Sequence, residues 1–105
     1  MREERIGKLK ALLEQDPGDS FTRYALALEY AGANDAVQAV TMLENLLHSD
    51  PEYVPTYQQL GNLYEKLGRR DEAVKTLKLG MRVAAQQGDN HARDEMLDAL
   101  DSLEP

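Results

Sequence analysis

The sequence predicts an all-α protein, a right-handed α-solenoid of antiparallel helical hairpins with six helices. Three observations predict it. Shifted against itself by 34 residues, the chain brings Ile6, Val40 and Val74 into register, then Leu9, Leu43 and Leu77, then Leu13, Leu47 and Met81. The same shift lays Asp16-Pro17 on Asp50-Pro51, Thr22 on Thr56, Leu26 on Leu60 and Tyr30 on Tyr64. A fixed period of this length marks stacked supersecondary units rather than one irregular domain. The second observation is helical spacing of apolar residues bounded by caps and breakers. The third is that no segment alternates with the period of two that a strand requires.

Each element follows in order. Over residues 3–15, Ile6, Leu9, Leu12 and Leu13 share one helical face, and Asp16-Pro17-Gly18-Asp19 breaks the chain. Asp19 or Ser20 caps a second helix over about 20–31, which ends near Gly32-Ala33-Asn34. A third runs over about 35–48 and stops at Asp50-Pro51. The fourth, about 54–67, is entered at Pro55, where a first-turn proline is tolerated, and left at Gly68. Asp71 is expected to cap a fifth helix that runs to about 87. Gly88-Asp89-Asn90 opens the sixth, with Ala92, Met96, Leu100 and Leu103 on one face and Asp94, Asp98 and Asp101 left for solvent.

Composition narrows the function. Nineteen acidic against twelve basic residues give a formal charge of -7, the wrong sign for a nucleic-acid footprint or an anionic membrane surface. No cysteine is present, so disulfides and thiolate metal sites are ruled out. The charged start, Met1-Arg2-Glu3-Glu4-Arg5, leads into no apolar signal core and no apolar run approaches a membrane span, so a cytoplasmic address is expected. Abundant aspartate with sparse lysine would suit a high-salt interior.

Residues 54–87 resemble the tetratricopeptide repeat through Tyr57, Leu60-Gly61, Tyr64, Gly68, Ala73 and Leu77. Residues 20–53 resemble it through Leu26, Ala27, Tyr30, Ala39, Leu43 and Pro51, with Arg23 where the bulky aromatic is expected. Ala85 replaces the closing proline of the second unit, so that helix is expected to run on. The resemblance implies a single domain: a leading half-repeat over 3–17, repeats over 20–53 and 54–87, and a capping helix over 89–104. It also implies that small residues Ala27 and Gly61, matched by Ala39 and Ala73, mark close helix approaches.

Chemistry is sparsely signalled. There is no phosphate loop, nucleophile elbow or His-Glu-x-x-His, so no enzyme activity and no cofactor are expected. His48 reads as a helix-end imidazole beside C-terminal carbonyls. His91, Asp94 and Glu95 could place three ligand atoms near one helical face but lack further ligands nearby. Glu3-Glu4 and Asp71-Glu72 read as helix-start charges rather than an acid/base pair. Arg69-Arg70 is a basic cluster in a turn, expected to be solvated.

A protein or peptide partner remains. In the family that the chain resembles, the first helix of each unit lines a concave groove. The resemblance places Phe21, Tyr24, Leu28 and Ala31 there from one unit and Gln58, Asn62, Glu65 and Lys66 from the next. That suits an extended peptide or short helix with one apolar anchor. Alternatively, helix 3–15 covers Phe21, Tyr24 and Leu28, or a second copy covers the side of helix 20–31 to form a homodimer. Relatives that grip chaperone C-terminal carboxylates use lysines, asparagines and an arginine. The matching slots here hold Tyr24, Leu28, Gln59, Asp89 and Arg93, of which Arg93 alone fits, so that activity is not carried over.

Overall fold

The computed structural model describes residues 1–104, which form six α-helices and no strand. They are α1 (Arg2–Gln15), α2 (Ser20–Gly32), α3 (Ala36–Ser49), α4 (Pro55–Lys66), α5 (Arg70–Gln86) and α6 (Asn90–Leu103). The chain divides into two compact units, Met1–Pro51 with α1 to α3 and Glu52–Pro105 with α4 to α6. In the first unit α2 packs on both α1 and α3; in the second, α5 packs on both α4 and α6.

Two kinds of turn join the helices. At Asp16-Pro17 and Asp50-Pro51 the aspartate leaves the helix with extended φ of -142° and -141°, as the residue before a proline must. The other turns use a left-handed residue: Asn34 (φ 60°), Gly68 (φ 76°) and Gly88 (φ 73°). Each is followed by a residue whose N–H reaches five residues back, Asp35 to Tyr30 O (2.9 Å), Arg69 to Tyr64 O (2.8 Å) and Asp89 to Ala84 O (2.8 Å). This closure satisfies orphan carbonyls of the ending helix. The following residue is at once the N-cap of the next helix, which makes the hairpin tight.

Asp19, Asp35 and Asp89 cap α2, α3 and α6 by accepting from the backbone N–H of Thr22, Gln38 and Ala92. The fifth helix departs from expectation. Its N-cap is Arg69, with no side-chain cap bond, and Asp71 lies inside the first turn. There it opposes the positive end of the helix instead of closing it. Pro55 occupies the first helical position of α4.

At 84–85, one period after Asp50-Pro51, stand Ala84-Ala85. With no proline to stop it, α5 reaches 17 residues where α1 and α3 have 14. The next helix is displaced accordingly. In α6 the buried Met96 and Leu100 repeat Leu60 and Tyr64 at a spacing of 36 residues, not 34.

Packing follows from small residues. A Cβ placed on Gly61 would meet Leu77 Cδ2 at 2.8 Å, so α4 and α5 touch where only glycine fits, and the filler opposite Gly61 is Leu77. Ala27, Ala39 and Ala73 are fully buried, as expected of close-approach positions. Gly80, which the repeat motif does not single out, is as tightly held. A Cβ there would collide with Tyr57 and come within 2.6 Å of Met96 Sδ. Helix α6 buries Met96, Leu100 and Leu103, half-buries Ala92, and leaves Asp94, Asp98 and Asp101 exposed.

Long-range polar bonds tie helix ends within each unit. Arg2 donates to Glu29 O (2.8 Å), Ser20 to Asp50 (2.5 Å) and Arg23 to Ser49 Oγ (2.6 Å), which gives Arg23 a use in place of the usual aromatic. In the second unit Gln87 donates to Glu52 O (2.6 Å), and Arg70 donates to Leu103 O at the end of α6.

The two equivalent threonines differ. The hydroxyl of Thr22 bonds the capping carboxylate of Asp19. One period on, residue 53 is a tyrosine, and the fully buried Thr56 hydroxyl has no hydrogen-bond partner among the described residues. Thr56→Val should therefore raise stability in thermal or denaturant unfolding by roughly 1 kcal/mol, while Thr22→Val should lower it by roughly as much. Gly80→Ala gains helix propensity yet should destabilise by roughly 1–3 kcal/mol, because the methyl has no room.

Candidate partner-binding surface

In the first unit, Phe21, Tyr24, Leu28 and Ala31 follow one another at helical spacing along α2. The opposite side of that helix buries Thr22, Leu26 and Ala27, so the stripe necessarily points outward. Phe21 is 58% exposed, and Tyr24, Leu28 and Ala31 are half-buried. Helix α1 thus does not cover Phe21. Its polar hold on α2 lies further along, where Arg2 and Arg5 grip the backbone carbonyl and the carboxylate of Glu29 and Lys10 stands 6.0 Å from the Tyr30 ring.

The second unit presents a different stripe. Helix α4 buries Thr56, Tyr57, Leu60, Gly61, Leu63 and Tyr64. What remains outward is polar, with Gln58 and Asn62 half-buried and Glu65 and Lys66 exposed. Half-burial immobilises an amide while leaving its donor and acceptor available, a suitable state for bonding a peptide backbone.

Arg69 and Arg70 are exposed, as the sequence suggests, yet both are engaged in bonds. The Arg69 guanidinium lies 4.6 Å from the Tyr64 ring centre and makes two bonds to Glu72, at 2.7 and 2.8 Å. Arg70 is committed to the Leu103 carbonyl. Both arginines close the second unit's own ends. His91 pairs with Glu95 at 3.1 Å, whereas Asp94 turns to Arg93 at 3.0 Å. The three candidate ligands therefore do not converge, and among the described residues no three such side chains are placed to hold a metal ion. His48 stands in the last turn of α3.

The displacement of α6 also moves the carboxylate-clamp slots. Counted with the spacing of 36, the places assigned to Asp89 and Arg93 fall on His91 and Glu95. The one matching residue is lost because the buried pattern of α6 stands two residues later than the 34-residue period places it.

The tetratricopeptide repeat model matches residues 30–93, more than half of the chain. The chain belongs to the tetratricopeptide repeat family. It is similar to a tetratricopeptide repeat domain protein from Salinibacter ruber, known from its solution NMR structure, with 44% identity over 85% of this chain and 90% of that one and a TM-score of 0.81. A protein from Bordetella parapertussis is 26% identical over 94% of this chain and 86% of that one, with a TM-score of 0.82. The TPR2B domain of yeast Sti1, in a complex with pHsp70, shares the fold at a TM-score of 0.87 and 14% identity over 94% of this chain and 79% of that one. No curated protein matches the chain. Among the described residues no helix is long and apolar enough to cross a membrane.

The hydrogen bond from Arg69 holds the Glu72 carboxyl below its ordinary value, opposed by desolvation and helped to a lesser degree by the charge of Arg69. A depressed folded-state value means that this pair stabilises the fold fully above the ordinary carboxylate range. That stabilisation fades as pH falls through the depressed value. In a carboxyl NMR titration Glu72 should titrate below the ordinary glutamate range, and Arg69→Ala should return it to that range.

Proposed function

We propose that this tetratricopeptide protein is a non-catalytic interaction module that binds a peptide or short helix of a partner protein along the outward faces of its first helices. On this reading the chain acts as one domain, with residues 3–17 as a leading half-repeat, 20–53 and 54–87 as repeats and 89–104 as the cap. The observation that carries the proposal is Phe21. A phenylalanine 58% exposed beside half-buried Tyr24 and Leu28 leaves an aromatic and aliphatic stripe in water, which binding would desolvate favourably. The amide-bearing stripe of α4 supports the same reading from the second unit, since Gln58 and Asn62 can bond a backbone whatever its sequence.

The likeness to the Sti1 domain supports a partner of this general kind but not the chaperone tail itself. Tyr24, Leu28 and Gln59 stand where that grip would need cationic and amide groups, and the arginine slot falls on Glu95. The partner's anchor is accordingly apolar rather than a terminal carboxylate.

The test is affinity capture of the partner from native lysate, followed by calorimetry. Phe21→Ala should weaken binding by more than about 1 kcal/mol, as aromatic anchors do, with an unchanged melt because the ring is exposed. Asn62→Ala should weaken it by about 1 kcal/mol. Normal binding by both variants would overturn the proposal.

A further inference from the structure

Beyond the partner surface, two other faces of the chain occupy positions that meet within the second unit. There, Gly61 of the first helix lies on Leu77 of the second. Leu9 of α1 stands two periods before Leu77, yet it is only half-buried, and α1 has no buried residue at all. With Ala25 of α2, Leu9 lines a cleft of about 320 Å³ also bounded by Arg5, Lys8 and Glu29. Arg5 is paired with Glu29 at 2.7 Å, whereas Lys8 has no hydrogen bond or ion pair among the described residues. The cleft is thus an apolar recess with an unmatched positive charge at its edge, roomy enough for a branched aliphatic side chain.

The other half is on α6. The spacing of 36 that maps Leu60 on Met96 and Tyr64 on Leu100 puts Leu97 in the place of Gly61. Leu97 is 39% exposed, and Asp94, Asp98 and Asp101, all exposed, flank it at helical spacing. Asp94 is held by Arg93, while the carboxylates of Asp98 and Asp101 have no partner among the described residues. A leucine between carboxylates is the chemical complement of a leucine-floored recess beside a free lysine.

We propose that the α1–α2 cleft receives α6 of a second molecule, with Leu97 entering over Leu9 and Ala25 and Asp98 and Asp101 facing Lys8 and Arg5. The contact joins two different surfaces, the cleft of one copy and α6 of another. Copies that each carry -7 repel one another, and this contact is where opposite signs meet. Salt screens both effects.

Sedimentation velocity of the intact chain in low salt, over concentrations up to on the order of 1 mM, tests this in a range where even a weak contact is populated. The weight-average sedimentation coefficient should rise with concentration. Lys8→Glu and Asp98→Lys, both at exposed positions, should each weaken self-association at least tenfold with unchanged melts. An equimolar mixture of the two variants should associate again, because the Glu at 8 of one meets the Lys at 98 of the other while the native Lys8 still meets the native Asp98. A wild-type chain that stays monomeric across the series would overturn the proposal. So would single variants that associate like the wild type, or a mixture that fails to recover.

Discussion

The structure depends on how closely helices can approach within a unit. At Gly61 the α4 backbone comes so near to Leu77 that a single added carbon would collide, and at Gly80 α5 is wedged between Tyr57 and Met96. Ridges and grooves of side chains hold packed helices at 8–10 Å, and shorter separations need residues with almost no side chain. With those two glycines in place, Tyr57, Leu60, Leu77 and Met96 can all be buried almost completely in a unit of about fifty residues. A small unit has little apolar surface to hide, so the closeness of the backbones decides how much of it leaves water.

The burial achieved there dictates what is left outside. Because α4 turns both tyrosines and Leu60 inward, its outward stripe is amide and charge. Because α2 uses the smaller set of Thr22, Leu26 and Ala27 for the same purpose, Phe21, Tyr24 and Leu28 remain on its outer side. The contrast between an apolar and a polar stripe is thus a by-product of which residues each helix can spare from packing. Charge is distributed by the same logic. Arg2, Arg23 and Arg70 are drawn into bonds that tie helix ends, and Arg69 into one with Glu72 of the helix it caps, so the basic cluster at 69–70 is structural.

The helices were legible in the sequence because their boundaries rest on local chemistry: Asp-Pro breaks, left-handed Gly or Asn, and capping aspartates act within four residues of where they stand. The motif positions Leu26, Ala27, Leu43, Tyr57, Leu60 and Leu77 were legible because periodicity reports burial directly. Three things were not. Asp71 looks like a cap, but the turn that begins at Gly68 leaves one residue, Arg69, in the cap position. The roles of Arg69 and Arg70 depend on Tyr64 and on the carbonyl of Leu103, 33 residues from Arg70, which no local pattern reveals. Gly80 escaped because its neighbours come from two other helices. The outward stripes themselves are legible only as the remainder of the buried pattern, which is why the sequence names their residues and not their exposure.

Replacing Asp-Pro by Ala-Ala at 84–85 amounts to a phase slip in a one-dimensional lattice. The first five helices keep a common phase, and α6 keeps the same inward-facing residues two positions late. Every property read by counting along the repeat changes owner at that point: acidic residues fall where α4 has amides, a leucine falls where it has glycine, and an arginine falls where it has tyrosine. A two-residue change in one helix, with no effect on the packing before it, is therefore enough to make the last element chemically distinct from those it resembles.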